Sequence, residues 1–269
     1  MRLQFYIEDK IMEANNGVNQ EKNASVKNSK FAFGMAIIAI SLLLNVVLFF
    51  FLSFITAGEP VYNAQQVFAI SYRSVVEVKV QNNAEDVAFG SAVLVSSSEN
   101  TGYFITNAHV VTYTRMAVVH EFEEHFIRFA FEEEYREVEL VRFDRDLDLA
   151  ILRISNLPTH TQVINMGNSE TLSHGDKVFA VGNSQNFGVT ISQGVIGIPL
   201  IEIHYDELQR EVIQAAITIT GGNSGGALLD SRGRLIGITT FRIRDQLGQI
   251  VFGVAYSIPI HIVNEFVNQ

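Results

Sequence analysis

The sequence contains no cysteine among its 269 residues. The chain therefore has no disulfide bond, no thiolate ligand for a metal and no cysteine nucleophile. Because 48% of the residues are hydrophobic, a chain of this length can bury a core that is stable without disulfides. The missing cysteines consequently do not assign the protein to a cell compartment.

Basic residues are also scarce. Lys and Arg number 19 against 29 Asp and Glu, which gives a net charge of -10 at pH 7. A protein that binds nucleic acid neutralises phosphates with clustered Lys and Arg. The sequence accordingly predicts no nucleic-acid partner.

One segment lacks charge altogether. Residues 31–57 read FAFGMAIIAISLLLNVVLFFFLSFITA, long enough to cross a bilayer, which takes about 20 apolar residues. Lysines precede it within residues 22–30, and no basic residue follows until Arg73. The positive-inside rule then predicts a single-pass signal anchor in contact with membrane lipid, with its N-terminus in the cytoplasm. Residues 1–30 would form a disordered cytoplasmic tail, and the remainder of the chain would lie outside the cytoplasm.

A cleaved signal peptide is the alternative interpretation, since Ala57 is a small residue near a possible cleavage point. The apolar core of a signal peptide spans about 7–15 residues behind a short basic region. Both segments are longer here. The sequence therefore favours an uncleaved anchor.

Residues 58–269 have a different pattern, in which short β-branched or alternating apolar runs are separated by turn residues. Only residues 63–72 and the last residues of the chain are typical of helix. So many short strands without intervening amphipathic helices predict an all-β domain with antiparallel sheets.

The sequence GNSGG around Ser224 fits two hydrolase designs. The pattern G-x-S-x-G is the nucleophile elbow of α/β hydrolases, and GNSGG is also similar to the nucleophile loop of trypsin-like proteases. The elbow needs a helix after its serine, whereas ALLDSRGRLIGITTF is typical of a strand, a turn and a second strand. An esterase of the α/β type is disfavoured for this reason.

A histidine and an aspartate precede this serine. YFITNAHVV places His109 at the end of one predicted strand, and DLAIL places Asp148 at the start of another. Each residue alone has an ordinary structural explanation. The order His, Asp, Ser in an all-β chain instead predicts a catalytic triad.

These motifs resemble those of the HtrA/Deg family of trypsin-like serine proteases. The matching segments are TNAHVV, DLAIL, GNSGGAL and the closing GVAYSIP. Membership implies two packed antiparallel β-barrels of trypsin-like (chymotrypsin) type, with the active site in the cleft between them. The expected bounds are residues 62–158 for the first barrel, 159–258 for the second and 259–269 for a C-terminal helix.

The resemblance also implies roles for these residues. Ser224 would attack the peptide carbonyl, His109 would carry the proton, and Asp148 would orient the imidazole. The backbone N–H groups of Gly222 and Ser224, with Asn223 between them, would form the oxyanion hole. No cofactor is expected.

Asn223 carries a further implication. In relatives that are activated by cleavage, an aspartate at this position pairs with the newly formed N-terminus. The uncharged Asn223 cannot make that ion pair, so we expect activity without trimming near residue 60.

Substrate-binding residues follow from the same resemblance. The base of the primary specificity pocket lies six residues before the nucleophile, at Thr218, where no carboxylate is present to pair a buried Lys or Arg. Cleavage after small or medium aliphatic residues is expected instead. An edge strand would flank the bound peptide, and Thr240 in it would hydrogen-bond Asp148. The residues of that strand are Thr239, Thr240, Phe241 and Arg242.

The acidic stretch 120–139 prompts a metal-site interpretation, which its spacing argues against. A zincin needs H-E-x-x-H, whereas His120 and His125 are five residues apart and would point about 140° away from each other on a helix. The alternation in FIRFAF predicts a solvated hairpin, so no metal site is expected. The other histidines are predicted to be surface residues: His160, His174, His204 and His261.

Most HtrA/Deg proteins continue into PDZ domains, whereas this sequence ends at Gln269, shortly after GVAYSIP. We therefore expect a family member without a PDZ domain. The resemblance also implies a homotrimer formed through the region of Tyr62 and Phe68.

The sequence thus predicts a membrane-anchored serine endopeptidase that cleaves unfolded or exposed polypeptides, in envelope protein quality control or regulated proteolysis. The alternative is a catalytically inactive, membrane-tethered domain of the same fold that binds peptides in its cleft.

Overall fold

The structure is a computed structural model of the chain, and its two units, residues 1–59 and 60–269, are considered separately. The predicted cytoplasmic tail lies almost entirely outside the described residues, as do both ends of the predicted membrane segment and Arg242. The described residues are 12, 27, 30, 33–52, 60–82, 87–205, 208–241 and 251–268.

The first unit contains helix α1, Phe33–Leu52, which has 20 residues and a mean hydropathy of 2.8. Its apolar side chains are exposed. The amide of Asn45 donates a hydrogen bond of 2.7 Å to the Ser41 carbonyl one turn earlier, which provides this polar group with a partner inside the helix. By length and composition the helix is able to cross a membrane.

Two helices flank the strands of the second unit. Helix α2, Ala64–Ser71, begins with a capping box in which Asn63 and Gln66 each bond the other's backbone N–H. Helix α4, Ile260–Val267, lies at the C-terminal end. Its buried side chains recur about one turn apart, as expected for a helix that packs one face on a core. They are Ile260, Val263 and Phe266.

The first nine strands are β1 Val75–Gln81, β2 Val87–Ser98, β3 Thr101–Thr106, β4 Thr112–Arg115, β5 Val118–Glu121, β6 Glu124–Phe129, β7 Arg136–Glu137, β8 Glu139–Asp144 and β9 Leu149–Ser155. Seven of them form the first sheet, in the order β7-β6-β1-β2-β3-β9-β8 and with antiparallel neighbours. A short helix, α3 (Ala108–Val111), follows β3, and β4 pairs with β5 in a separate hairpin.

The remaining six strands form a closed antiparallel barrel of order β10-β11-β12-β15-β14-β13. The barrel closes because β10 pairs with both β11 and β13. The strands are β10 Lys177–Asn183, β11 Val189–Tyr205, β12 Leu208–Ala216, β13 Ala227–Asp230, β14 Leu235–Phe241 and β15 Ala255–Pro259.

The predicted all-β, antiparallel architecture is confirmed. The two edge strands of the first sheet, β7 and β8, are separated by the single residue Val138, so the sheet curls round until its edges meet at this point of the chain. The predicted turn at residues 231–233 joins β13 to β14, with Gly233 at a φ of +72°. A strand therefore follows the GNSGG segment where an elbow would need a helix.

A continuous hydrophobic core joins the first sheet to the barrel. Ile105 and Leu149, at the inner ends of β3 and β9, belong to the same buried cluster as Phe179 and Ile238 of the barrel. The ends of β3, β9 and β14 are thereby held close to one another. Two predicted catalytic residues lie at these ends, because His109 follows β3 and Asp148 immediately precedes β9.

The histidines of the acidic stretch are separated by the fold. His120 lies in β5 and stacks on Tyr113, with ring centroids 5.3 Å apart, whereas His125 is buried in β6. His261 was predicted to be a surface residue, and the structure corrects this. Its ring is partly buried, with Nδ1 3.0 Å from Ser169 Oγ and Nε2 2.8 Å from a Glu211 carboxylate oxygen.

His125 generates a pH-dependent prediction. Burial lowers its pKa below the ordinary value of 6.5, although a hydrogen bond to the backbone of Val111 and the charge of Glu121 oppose the shift. Nε2 has no hydrogen-bond partner among the described residues. Protonation is therefore disfavoured in the folded state. The free energy of unfolding should be highest above pH 6.5 and should decrease as the pH falls through the folded-state pKa.

Urea unfolding at pH 7.5 and at pH 5 tests this expectation. Replacing His125 with Phe should make the decrease in unfolding free energy smaller than in the wild type. The matched substitution His174→Phe, at an exposed position, should leave the decrease unchanged. Equal decreases in the wild type and His125→Phe would contradict the assignment.

Candidate active site

The loop after β3 positions His109. Asn107, which is fully buried, follows the strand, and its Nδ2 donates a 2.9 Å hydrogen bond to the backbone carbonyl of Asp148. His109 lies one residue into helix α3. The end of β3 is thereby tied to the start of β9, and the two side chains project into one region.

His109 and Asp148 are in direct contact. The ring atom Nδ1 lies 2.9 Å from Oδ2 and 3.0 Å from Oδ1 of the carboxylate, and the backbone N–H of His109 donates to Oδ1 at 3.0 Å. The Asp148 side chain is 7% exposed, whereas that of His109 is 49% exposed. The carboxylate is therefore shielded from water while the imidazole remains accessible to a substrate.

Asp148 has a left-handed backbone, with φ at +55°. Such a conformation costs a non-glycine residue of order 1–3 kcal/mol and persists only where the surroundings hold it. Here the backbone carbonyl is held by Asn107 and the carboxylate by His109. The strained backbone therefore belongs to the same residue whose carboxylate is held by hydrogen bonds.

Thr240 joins this pair to the barrel. Its hydroxyl donates a 2.6 Å hydrogen bond to Asp148 Oδ2, which confirms the contact expected from the sequence. Its carbonyl accepts the hydroxyl of Ser224 at 2.8 Å. The register between β14 and β15 skips Thr240, and such an irregularity directs groups out of the ladder. Thr240 therefore contacts two of the three predicted triad residues.

Several groups act on the ionisation of Asp148. Burial alone would raise the pKa of its carboxyl group. The charge and hydrogen bonds of His109, together with the Thr240 hydroxyl, outweigh burial and lower the pKa below its ordinary value. Asp148 consequently remains ionised at neutral pH and keeps the Nδ1 proton of His109 facing it.

Ser224 is partly buried in the loop that precedes β13. Its hydroxyl donates a hydrogen bond to the Thr240 carbonyl, and among the described residues it makes none to the ring of His109. The structure thus brings His109, Asp148 and Ser224 to one site, with the serine hydroxyl turned towards the barrel strand.

The loop before Ser224 is a tight turn. The N–H of Asn223 donates to the carbonyl of Thr220 at 3.2 Å, and Gly222 has a φ of +92°. A positive φ at the third residue is the signature of a type II turn, which requires glycine there. A Cβ on Gly222 would also lie 2.1 Å from the carbonyl oxygen of Asn183. Two independent constraints therefore demand glycine at residue 222.

The carbonyl of Gly221 accepts the N–H of Gln185 at 2.8 Å. In a trans peptide the N–H points away from the carbonyl, so the N–H of Gly222 is directed to the opposite side. The N–H of Asn223 instead donates to the carbonyl of Thr220 within the turn. The Asn223 side chain is buried, and its Oδ1 has no hydrogen-bond partner among the described residues.

The predicted substrate-binding residues separate into two groups. Thr240 and Phe241 lie beside His109, and Phe241 stacks on Tyr256 with centroids 5.4 Å apart. Thr239 is buried, and its carbonyl accepts the N–H of Gly225 at 2.8 Å, so it supports the loop from behind. Thr218 is exposed, and its carbonyl accepts the hydroxyl of Ser192.

A cavity of about 330 Å³ opens beside His109. Arg210 of β12 reaches it, with Nη2 donating to the Arg145 carbonyl at 3.0 Å and Nη1 3.9 Å from Asp148 Oδ2. The lining residues include His109, Tyr113, Arg145, Asp148, Arg210 and Phe241. This space is large enough for a side chain of a bound peptide.

The sequence did not reveal three contributors to the site. Ser91 of β2, Gln185 of the β10–β11 connection and Arg210 all contact it from distant parts of the chain. Ser91 is the only one with a sequence signal, because it is a polar residue in an otherwise apolar strand, FGSAVLV. That signal does not identify its partner.

The Thr240 contact generates a prediction about stability. Because the folded-state pKa of Asp148 is lowered, its ionisation stabilises the fold above about pH 3.9, and this contribution decreases as the pH falls through the folded-state pKa. Thr240→Val removes one cause of the lowered pKa. The variant should lose about 1.5–3 kcal/mol of unfolding free energy at pH 7, the usual worth of a hydrogen bond to a charged group, and a smaller amount at pH 3.

Chemical denaturation at the two pH values measures both quantities. Thr239→Val is the matched control, since Thr239 is equally buried and its hydroxyl has no partner among the described residues. That control should be neutral or slightly stabilising. Equal losses for the two valine variants, or no pH dependence for Thr240→Val, would refute the assigned bond.

Comparisons with known proteins identify the domain to which these residues belong. Residues 90–238 match the trypsin-like peptidase domain. The serine endoprotease DegS of Haemophilus influenzae is 36% identical over 180 residues, which are 65% of this chain and 48% of that protein. The periplasmic serine endoprotease DegP of Escherichia coli K12 is 31% identical over 183 residues, which are 68% of this chain and 36% of DegP.

The chain thus spans half or less of the length of these curated relatives. A solved structure, the HtrA-type protease AlgW with a tripeptide, superposes with a TM-score of 0.65 and 26% identity. The match covers 77% of this chain and 62% of AlgW. The chain belongs to the HtrA family of trypsin-like serine proteases.

Proposed function

We propose that this protein is a serine endopeptidase in which Ser224 is the nucleophile, His109 the general base and Asp148 the group that orients His109. The observation that carries the proposal is the hydrogen-bonded chain from His109 through Asp148 and Thr240 to Ser224. No structural requirement of the fold explains why a strained, buried carboxylate faces an exposed imidazole. General-base catalysis does explain it.

The first step is transfer of the serine proton. Asp148 holds the Nδ1–H of His109, so the lone pair of Nε2 is free to accept a proton. The hydroxyl of Ser224 must leave the Thr240 carbonyl and turn to Nε2. A substrate strand laid along β14 can bring this about, because its backbone N–H would compete for the same carbonyl. Attack on the peptide carbonyl then forms a tetrahedral oxyanion.

The oxyanion would be stabilised by the N–H of Gly222, which the turn directs away from Gln185, and by the N–H of Ser224. Asn223 contributes the shape of the turn. Donors fixed before the substrate arrives are effective because they do not have to reorganise during the reaction. His109 then donates its proton to the leaving amine, and a water molecule repeats the sequence on the acyl-enzyme.

For substrates, we propose unfolded or exposed polypeptides. An extended peptide is the form that can align with a strand edge, and the AlgW structure contains a tripeptide. No carboxylate is placed at Thr218 to pair with a buried cation, which supports cleavage after small or medium aliphatic residues. Thr218 is exposed in the structure rather than buried at the base of a pocket, so the proposed preference rests on the missing carboxylate alone.

We further propose that helix α1 anchors the protein in a membrane, with the peptidase unit on the outer side of the cell envelope and a role in protein quality control or regulated proteolysis. The uncharged length of α1 and the lysines before it support this orientation. DegP of Escherichia coli K12 is described as periplasmic. The homotrimer stays a prediction, and Tyr62 and Phe68 are partly buried against their own core.

Labelling with a fluorophosphonate tests the catalytic proposal. The wild type should be labelled at Ser224 and should cleave casein, whereas Ser224→Ala should do neither. Asp148→Asn should reduce kcat by about 10⁴-fold, as removal of the orienting carboxylate does in a Ser-His-Asp triad. An unlabelled wild type that still binds unfolded polypeptide would favour the inactive peptide-binding alternative.

The membrane proposal has its own test. Full-length protein with an N-terminal tag should remain in the membrane fraction after alkaline carbonate extraction. In intact spheroplasts, an added protease should digest the peptidase unit while the tag remains protected. Recovery of a shortened, soluble protein that begins near residue 58 would instead establish cleavage of a signal peptide.

A further inference from the structure

Ser91 connects the first sheet to the loop that carries the nucleophile. It lies in β2 and is fully buried. Its hydroxyl accepts the N–H of Asn183 at 2.7 Å and donates to the carbonyl of Gly222 at 2.7 Å. Both partners belong to the barrel unit of the fold, so a single side chain ties the two halves together at the active site.

The backbone of Ser91 is also engaged with this loop. Its N–H donates to the carbonyl of Ser224 at 2.8 Å, and its own carbonyl accepts the hydroxyl of Thr106 at 2.7 Å. The strand is therefore fixed on one side by Thr106 and contacts the loop at two points. Those two points are the carbonyl groups of Gly222 and Ser224.

These contacts restrict the peptide units that form the turn. Ser91 holds the carbonyl of Gly222, and the N–H of Gln185 holds the carbonyl of Gly221 at 2.8 Å. When the carbonyl of a trans peptide is held, the direction of its N–H is fixed as well. The N–H of Gly222 therefore cannot turn out of the cleft without breaking the bond to Gln185.

Ser91 influences that second bond too. It binds the N–H of Asn183, the residue from which the 184–186 turn begins. Gln185 in this turn has a φ of +53°, a conformation that a non-glycine residue adopts only when its surroundings hold it. The Ser91 hydroxyl thus bonds both the segment that begins at Asn183 and the turn that contains Gly222. It therefore helps to fix the distance between Gln185 and the carbonyl of Gly221.

We propose that Ser91 is a positioning residue that holds the oxyanion hole in the conformation in which the N–H of Gly222 is directed into the cleft. The inference deepens the proposed peptidase function and rests on it. Ser91 does not contact the substrate, and it acts through the carbonyl of Gly222 and the N–H of Asn183.

Ser91→Ala should lower kcat by about 10–100-fold and leave KM within about 2-fold. Loss of a direct oxyanion donor costs about 10²–10³-fold in kcat, and loss of a support should cost less. A peptide boronate, whose negatively charged tetrahedral adduct occupies the oxyanion hole, should bind more weakly by the same factor as kcat/KM. Binding of an uncleaved peptide should be equal in Ser224→Ala and in the Ser91→Ala, Ser224→Ala double variant.

Ser74→Ala is the matched control. Ser74 is also fully buried in the same part of the fold, but its hydroxyl has no hydrogen-bond partner among the described residues. This control should keep the wild-type kcat. If Ser91→Ala does not fold, Ser91→Cys retains the side-chain volume with a weaker hydrogen-bonding group and should show the same pattern with a smaller decrease.

Hydrogen exchange provides a readout that does not require activity. Backbone amides of residues 219–226 should exchange at least 10-fold faster in Ser91→Ala than in the wild type, and Ser74→Ala should leave their rate unchanged. Unchanged exchange, or kcat equal to that of the wild type, would overturn the proposal. If the wild type has no peptidase activity but the amides of residues 219–226 still exchange faster in Ser91→Ala, the proposed peptidase function would be overturned. The structural role of Ser91 would be retained.

Discussion

The active site depends on one hydrogen bond across the junction of two β-structures, from the Thr240 hydroxyl to the Asp148 carboxylate. A buried carboxylate costs several kcal/mol unless it is paired and fully hydrogen-bonded. Asp148 meets this requirement with His109 from helix α3 and Thr240 from the barrel. The charge therefore holds the two halves in the one arrangement in which the imidazole, the carboxylate and the Ser224 loop meet.

The loop of Ser224 is organised by backbone groups rather than by charge. Gly222 permits the type II turn, Gln185 holds the carbonyl of Gly221, and Ser91 holds that of Gly222. Asn223 supplies no ion pair, in contrast to the aspartate of cleavage-activated relatives. The conformation of the turn is thus maintained by short hydrogen bonds that the folded chain makes by itself.

Local patterns in the sequence predicted most of the elements. The helix at residues 63–72 and the strand–turn–strand after Ser224 agree with the structure. The contact between Thr240 and Asp148, which the family resemblance implied, is also present. The partners of His261 were missed, because they depend on which distant segments come together. Periodicity reports on the exposure of a side chain and not on the residues that it contacts.

The sequence alone determined the residue types and their order, because Ser224 in GNSGG, His109 in TNAHVV and Asp148 in DLAIL are set by the covalent structure of the chain. It also determined that residue 222 is glycine, without which the turn would be strained. Only the tertiary structure decided that Ser91, which is 131 residues from Gly222, holds the carbonyl of that glycine. Hydrogen bonds of this kind are directional and short-ranged, so they exist only once packing of the core has set the distance between their strands.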